Sequence, residues 1–138
     1  MKIGTKSKEV DVKKEKKVYK LLPLGDYPAV LTWIDKRESE KGSTYKELVF
    51  KITAGDHKDR RLWVKLFDSG VSQAALDISA KRLNSLKAAS NLADDLIVAD
   101  LIKKAKEVVG KEVMLKVGIE KGSNGFKDRN NVLDFLAL

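Results

Sequence analysis

"VFKITAGDHKDRRLWVKLF", residues 49–67, consists of two alternating runs pinched by a charged turn. One register holds Phe50 and Ile52, then Leu62, Val64 and Leu66; the other holds Val49 and Lys51, then Arg61, Trp63, Lys65 and Phe67. Successive side chains of a strand point to opposite faces, so the first register reads as core and the second as an outer face. The intervening "AGDHKD" is rich in turn formers, which makes the two runs consecutive antiparallel strands.

Upstream, Gly25 and Asp26 predict a turn, and the alternation from Tyr27 to Lys36 predicts a first strand. The polar "RESEKGST", with Gly42 at its centre, links it to a second strand from Tyr45 to Thr53; the third runs from Arg60 to Phe67. After "DSG" the pattern becomes helical, with Leu76, Ala80, Leu83 and Leu86 spaced along Val71 to Leu92. A second helix is expected from the acidic pair Asp94 and Asp95 to Val109, with Val98, Leu101, Ile102, Ala105 and Val108 on one side and Gly110 as its cap. Strands resume in "KEVMLKVGIE", where Val113, Leu115, Val117 and Ile119 share a face and Met114, Lys116 and Glu120 take the other. Asn124-Gly125 suits a hairpin turn, and the last strand runs from about Asn130 to Ala137.

Three strands, a helical insertion over about residues 71–109 and two more strands give a mainly β chain with α+β content. That order predicts a five-stranded Greek-key barrel of the OB type, its helical insertion between strands 3 and 4. Other α+β folds also place helices between a meander and a hairpin.

The 138 residues suit one domain, over residues 21–138, preceded by a lysine-rich arm, residues 1–20. Net charge is +8, which favours polyanionic partners, nucleic acid first. Residues 1–24 hold eight lysines against three acids, so any basic groove in the folded part must come from arrangement. The arm reads either as a solvated tail or as a nonspecific phosphate-binding segment. There is no cysteine and only one histidine, His57, which excludes disulfides, thiolate sites and multi-histidine metal sites within one chain. No apolar stretch is long enough to span a bilayer and no signal peptide is recognisable, so a cytoplasmic location without membrane attachment is expected. P-loop, G-x-S-x-G and H-E-x-x-H patterns are lacking, and the expectation is a binding protein without cofactor, metal or catalytic residues.

The outer register of strands two and three would then carry Tyr45, Glu47, Val49 and Lys51 beside Arg61, Trp63, Lys65 and Phe67. Rings interleaved with cations suit single-stranded nucleic acid, whose unpaired bases stack on aromatics while Lys and Arg meet phosphates. Trp63, Tyr45 and Trp33 are the candidate stacking residues. Lys51, Arg61, Lys65 and Lys116 are the candidate phosphate contacts, with Phe126, Lys127 and Arg129 gripping from the far hairpin. A competing reading packs Trp63 under the helices or the arm. Trp33 lies in a run apolar in both registers, so a bulge could turn it to either side.

The stretches "LGDYPAVL", "KELVFKITAGDHKDRRLW" and "NNVLDFLAL" resemble a group of small phage proteins long catalogued as a domain of unknown function. The group's Gly-x-Tyr-x-Ala opening is matched by Gly25, Tyr27 and Ala29, and its Leu-x-Phe pair by Leu48 and Phe50. Its Lys-Gly-Arg turn corresponds to Lys58, Asp59 and Arg60, with the glycine replaced, and Trp63 falls at its usual aromatic position. The resemblance covers about residues 22–137. It implies an OB-fold single-stranded DNA-binding protein that coats exposed strands during phage replication or recombination, in the cytoplasm of the host. Phage replication or recombination proteins would be further partners. The ending "LDFLAL" departs from the acidic tails by which many bacterial single-strand binders recruit enzymes. The sequence leaves self-association open.

Two other classes are weighed. A protein-interaction module of the same phage complexes would grip a peptide on that face. A metal-dependent nuclease would rest on Asp35, Asp56, Asp59 and Asp68, which fall on loops or strand ends with no convergent spacing.

Overall fold

A computed structural model describes residues 21–122, 125 and 127–138. Five strands, β1 Gly25–Glu38, β2 Thr44–Ile52, β3 Arg61–Ser69, β4 Glu112–Glu120 and β5 Arg129–Leu136, form one antiparallel sheet. Its order is β3-β2-β1-β4-β5. Between β3 and β4 lie α1, Gln73–Ser90, a 3-10 turn at Val98–Asp100, and the one-turn α2, Ala105–Val108.

Alternation explains the sheet. Leu48, Phe50 and Ile52 of β2 and Leu62, Val64 and Leu66 of β3 are all buried, as the opening register requires. They meet Val113, Leu115 and Val117 of β4 and Val132 and Phe135 of β5 in one continuous core. Phe50 and Phe135 touch across it, ring centroids 5.4 Å apart. Burying a side chain of this size stabilises the fold by roughly 1.5–3 kcal/mol.

β1 is the longest strand and serves both halves of the sheet. Gly25 to Val30 pair with Val117 to Glu112 of β4, while Ala29 to Glu38 pair with Ile52 to Thr44 of β2. Gly25 and Asp26 therefore extend the strand where a turn was expected. The β1–β2 register shifts between Leu31 and Trp33. Leu31 and Ile34 both point into the core, and the extra residue, Thr32, donates its Oγ1 proton to the Val49 carbonyl at 3.0 Å. Such a bulge reverses the facing of everything beyond it.

The helical segment differs from expectation in two respects. α1 starts at Ser72, whose Oγ accepts from the Ala75 amide at 3.2 Å, and ends at Asn91 in the left-handed region. It buries Ser79, Leu83, Leu86 and Ser90, so Ser79 rather than Ala80 lies on the core face. The expected second helix over 94–109 is not continuous. Leu96 and Val98 are both buried although two residues apart, which no single helical face allows, while Ile102 is exposed. Lys87 satisfies the irregular chain here, its Nζ donating to the carbonyls of Asp94 (2.6 Å) and Leu96 (3.0 Å).

The seam of the expected barrel, between β3 and β5, carries no strand ladder among the described residues; each is an outer strand of the sheet. α1 packs against both. Its Ser79 Oγ accepts from the Phe67 amide of β3 (2.8 Å), and its Arg82 Nη1 donates to the Val132 carbonyl of β5 (2.9 Å). One helix thus substitutes side chains for strand partners on two open edges. No helix among the described residues is long and apolar enough to cross a membrane.

Candidate functional site

The outer face of β1, β2 and β3 is built of cross-strand rows. The middle row is Trp33–Val49–Trp63, in register across all three strands. Trp33 is 62% exposed and Trp63 56%, although tryptophan is among the more buried residue types on average. Alternation placed Trp63 here, and the bulge at Thr32 places Trp33 beside it; the reading that buries Trp63 under the helices does not hold. Val49, half-buried, fills the floor between them.

One step along the strands lies the row Val30–Lys51–Arg61. Lys51 reaches Asp59 at 3.8 Å, in the turn before β3, and is half-buried. Arg61 is exposed and makes no ion pair among the described residues. Cations and rings therefore run as parallel ridges, two residues or ~6.7 Å apart along the strands.

On the other side of the tryptophans the row is Asp35–Glu47–Lys65. Arg37 holds both acids, at 3.1 Å from Asp35 and 3.4 Å from Glu47. Farther along, Tyr45 and Phe67 pack on each other with centroids 5.3 Å apart, and Lys65 Nζ sits 5.2 Å from the Tyr45 ring centre. Tyr45 and Phe67 thus partly cover each other, with the exposed Lys65 over the Tyr45 ring, while Trp33, Trp63 and Arg61 are exposed.

The remaining candidates do not converge on that row. Lys116 lies on β4, in register with Asp26 of β1 and Asp134 of β5, on the other half of the sheet. Arg129 opens β5 and donates Nε to Glu120 at 2.7 Å. Lys127 is exposed in the β4–β5 connection, and Phe126 lies outside the described residues. The residues of the expected arm, 1–20, also lie outside them. Of the four acids of the nuclease reading, Asp35 pairs with Arg37, Asp59 with Lys51 and Asp68 with Lys46, while Asp56 is exposed in the turn before β3. His57 packs edge-on against Tyr27, centroids 5.8 Å apart.

The model of a protein family described as "Protein of unknown function (DUF669)" matches residues 6–135. The chain belongs to this family. No curated protein matches the chain. The description of the DUF669 family names no activity.

Sequence reading missed one feature of the DUF669 domain. A cleft of about 960 Å³ opens between the edges of β3 and β5 beside Trp63. It is lined by Arg61, Trp63 and Lys65 on one side, Arg129 and Asn131 on the other, and Ile78 of α1. Ile78 is 54% exposed there. Nothing in the local pattern of the sequence tells which flank of a helix will border a gap between strands distant in the chain. Leu21 also lines the cleft, and Asn130 ties down Leu22 by accepting from its amide at 2.7 Å and donating to its carbonyl at 3.0 Å.

Proposed function

We propose that this DUF669 chain is a phage single-stranded DNA-binding protein of OB-like architecture, which coats exposed strands during replication or recombination. The observation that carries the proposal is the Trp33–Val49–Trp63 row with the Lys51–Arg61 row beside it. Two large apolar rings left more than half exposed side by side on a sheet form the kind of patch that marks a binding surface. Bases supply the flat partners such rings lack, at about 1–3 kcal/mol per base, and the neighbouring cations meet the phosphates.

Geometry favours a single strand over a duplex. The two tryptophans lie two strands apart, or about 10 Å. Bases within a duplex strand are ~3.4 Å apart and already stacked. Only an extended, unstacked strand can lay separate bases on both rings, running across the β strands with its phosphates along Lys51 and Arg61. The OB reading is supported by the strand order, by a bent β1 serving both halves of the sheet, and by a helix placed between β3 and β4.

The test is intrinsic fluorescence titrated with oligo-dT. Emission is expected to be quenched saturably, and Trp63→Ala should weaken binding by about 1–3 kcal/mol. Unchanged emission throughout the titration would refute the proposal.

A further inference from the structure

We infer that the cleft between β3 and β5 is a docking groove for an acidic, extended segment of a partner protein, which adds as a strand to the β3 edge. The inference goes beyond nucleic-acid binding and does not depend on it: its ladder is the backbone edge of β3, although the side chains of Arg61 and Trp63 border both surfaces.

The direction of those edges follows from one hydrogen bond. In an antiparallel strand the N–H and C=O of a residue point the same way, alternating between neighbours. The Phe67 amide points away from β2, to Ser79 at 2.8 Å. Arg60 shows the opposite parity, its carbonyl accepting from the Ile52 amide of β2 at 2.9 Å. Arg61, Trp63 and Lys65 share the parity of Phe67, with no register shift between them and it. Their amides and carbonyls therefore face the cleft, a ladder without a partner strand among the described residues.

Chemistry selects the occupant. A strand edge alternates donors and acceptors, and an extended polypeptide satisfies both at the same spacing. The sugar-phosphate chain of DNA offers acceptors only and would leave the carbonyls of Arg61, Trp63 and Lys65 unpaired. An unpaired buried carbonyl is costly, so the groove favours peptide over DNA. Among the described lining residues six are cationic and three acidic. The acids are engaged, Asp59 with Lys51, Glu120 with Arg129 and Asp128 with Lys121. Arg129 is spent on Glu120 and Arg82 on the Val132 carbonyl, so the positive charge offered to an occupant comes from Lys58, Arg61 and Lys65. With Ile78 and Trp63 exposed in the wall, this suits a segment alternating acidic and apolar side chains.

The probe is a labelled ten-residue peptide of alternating glutamate and valine, added to the full chain and followed by fluorescence anisotropy. Saturable binding is expected, at least tenfold weaker for the lysine–valine counterpart. Methylating alternate amide nitrogens of the peptide, on the edge that meets β3, should cost at least tenfold, because it removes donors without altering charge. Ile78→Glu, a change at an exposed position, should weaken the peptide at least tenfold and leave the oligo-dT quench intact. Equal binding of the methylated peptide would reduce the contact to charge alone and overturn the inference. No binding of the glutamate–valine peptide, with oligo-dT affinity falling on Ile78→Glu, would assign the groove to nucleic acid. Peptide binding that emerges only after residues 1–20 are deleted would assign it to the chain itself and equally overturn a partner's claim. The peptide measurements contain no nucleic acid, so failure of the DNA-binding reading leaves them interpretable.

Discussion

Trp63 and Trp33 reach the same surface by different routes. Trp63 follows strict alternation through Leu62 and Val64, so its facing is legible in the sequence. Trp33 depends on the bulge at Thr32, and a run apolar in both registers gives no sign of where a bulge falls. Because both rings already face water, Trp33→Ala and Trp63→Ala should each leave stability within about 0.5 kcal/mol, as is usual for exposed positions. Urea denaturation checks this, and a loss of several kcal/mol would mean that the rings hold the fold together. Gly70 is the opposite case. Its φ is +76°, and a Cβ there would lie 2.5 Å from the Ser43 Cα and 2.7 Å from the Gly42 carbonyl oxygen. Both neighbours are backbone, so Gly70→Ala should destabilise by at least ~1–3 kcal/mol of strain. An unchanged urea midpoint would show that the β1–β2 hairpin yields freely.

At the scale of elements, β2 and β3 hold a buried charge, because the core register of Leu48, Phe50 and Ile52 runs on to Lys46. Lys46 faces inward in register with Leu66, and its Nζ lies 2.5 Å from Asp68 Oδ2; Lys46 is nearly fully buried. Thr44 Oγ1 donates to the other oxygen of Asp68. Burial pushes the Asp68 carboxyl up, but the hydrogen bonds from Lys46 and Thr44 and the Lys46 charge outweigh it and hold the group below its ordinary value of 3.8. A depressed folded pKa gives stability that is present above 3.8 and lost as pH falls through the lower folded value. Asp68→Asn should therefore flatten the loss of stability on acidification below that point, read as urea midpoint against pH. Asp68→Ala leaves Lys46 buried and unpaired, at a cost of roughly 3–5 kcal/mol. Lys46→Met combined with Asp68→Leu should recover most of it. The five strands were legible to within two residues at nearly every end, because period-2 burial is local. The segment after α1 was not. Its buried residues, Leu96, Val98, Leu101 and Val108, are set by the core they plug, and their spacing only resembles a helix.

For the whole molecule, most of the excess charge sits before the first strand, and the sheet contributes arrangement instead. Affinity for oligo-dT should fall with salt at a log–log slope of about −0.7 per phosphate neutralised. Deleting residues 1–20 should flatten that slope if their lysines meet phosphates; an unaltered slope would exclude them from the contact. The cleft was illegible in the sequence because it lies between strands distant in the chain: α1 bridges β3 and β5 at Phe67 and Val132 and leaves the rest of the gap open. The decisive measurement is oligo-dT affinity across a salt series, for the native chain and for Trp33→Ala combined with Trp63→Ala. Lower affinity at every salt concentration with an unchanged slope is predicted, since rings and cations contribute separately. Equal affinity for the two proteins would contradict the claim that the tryptophan row receives bases.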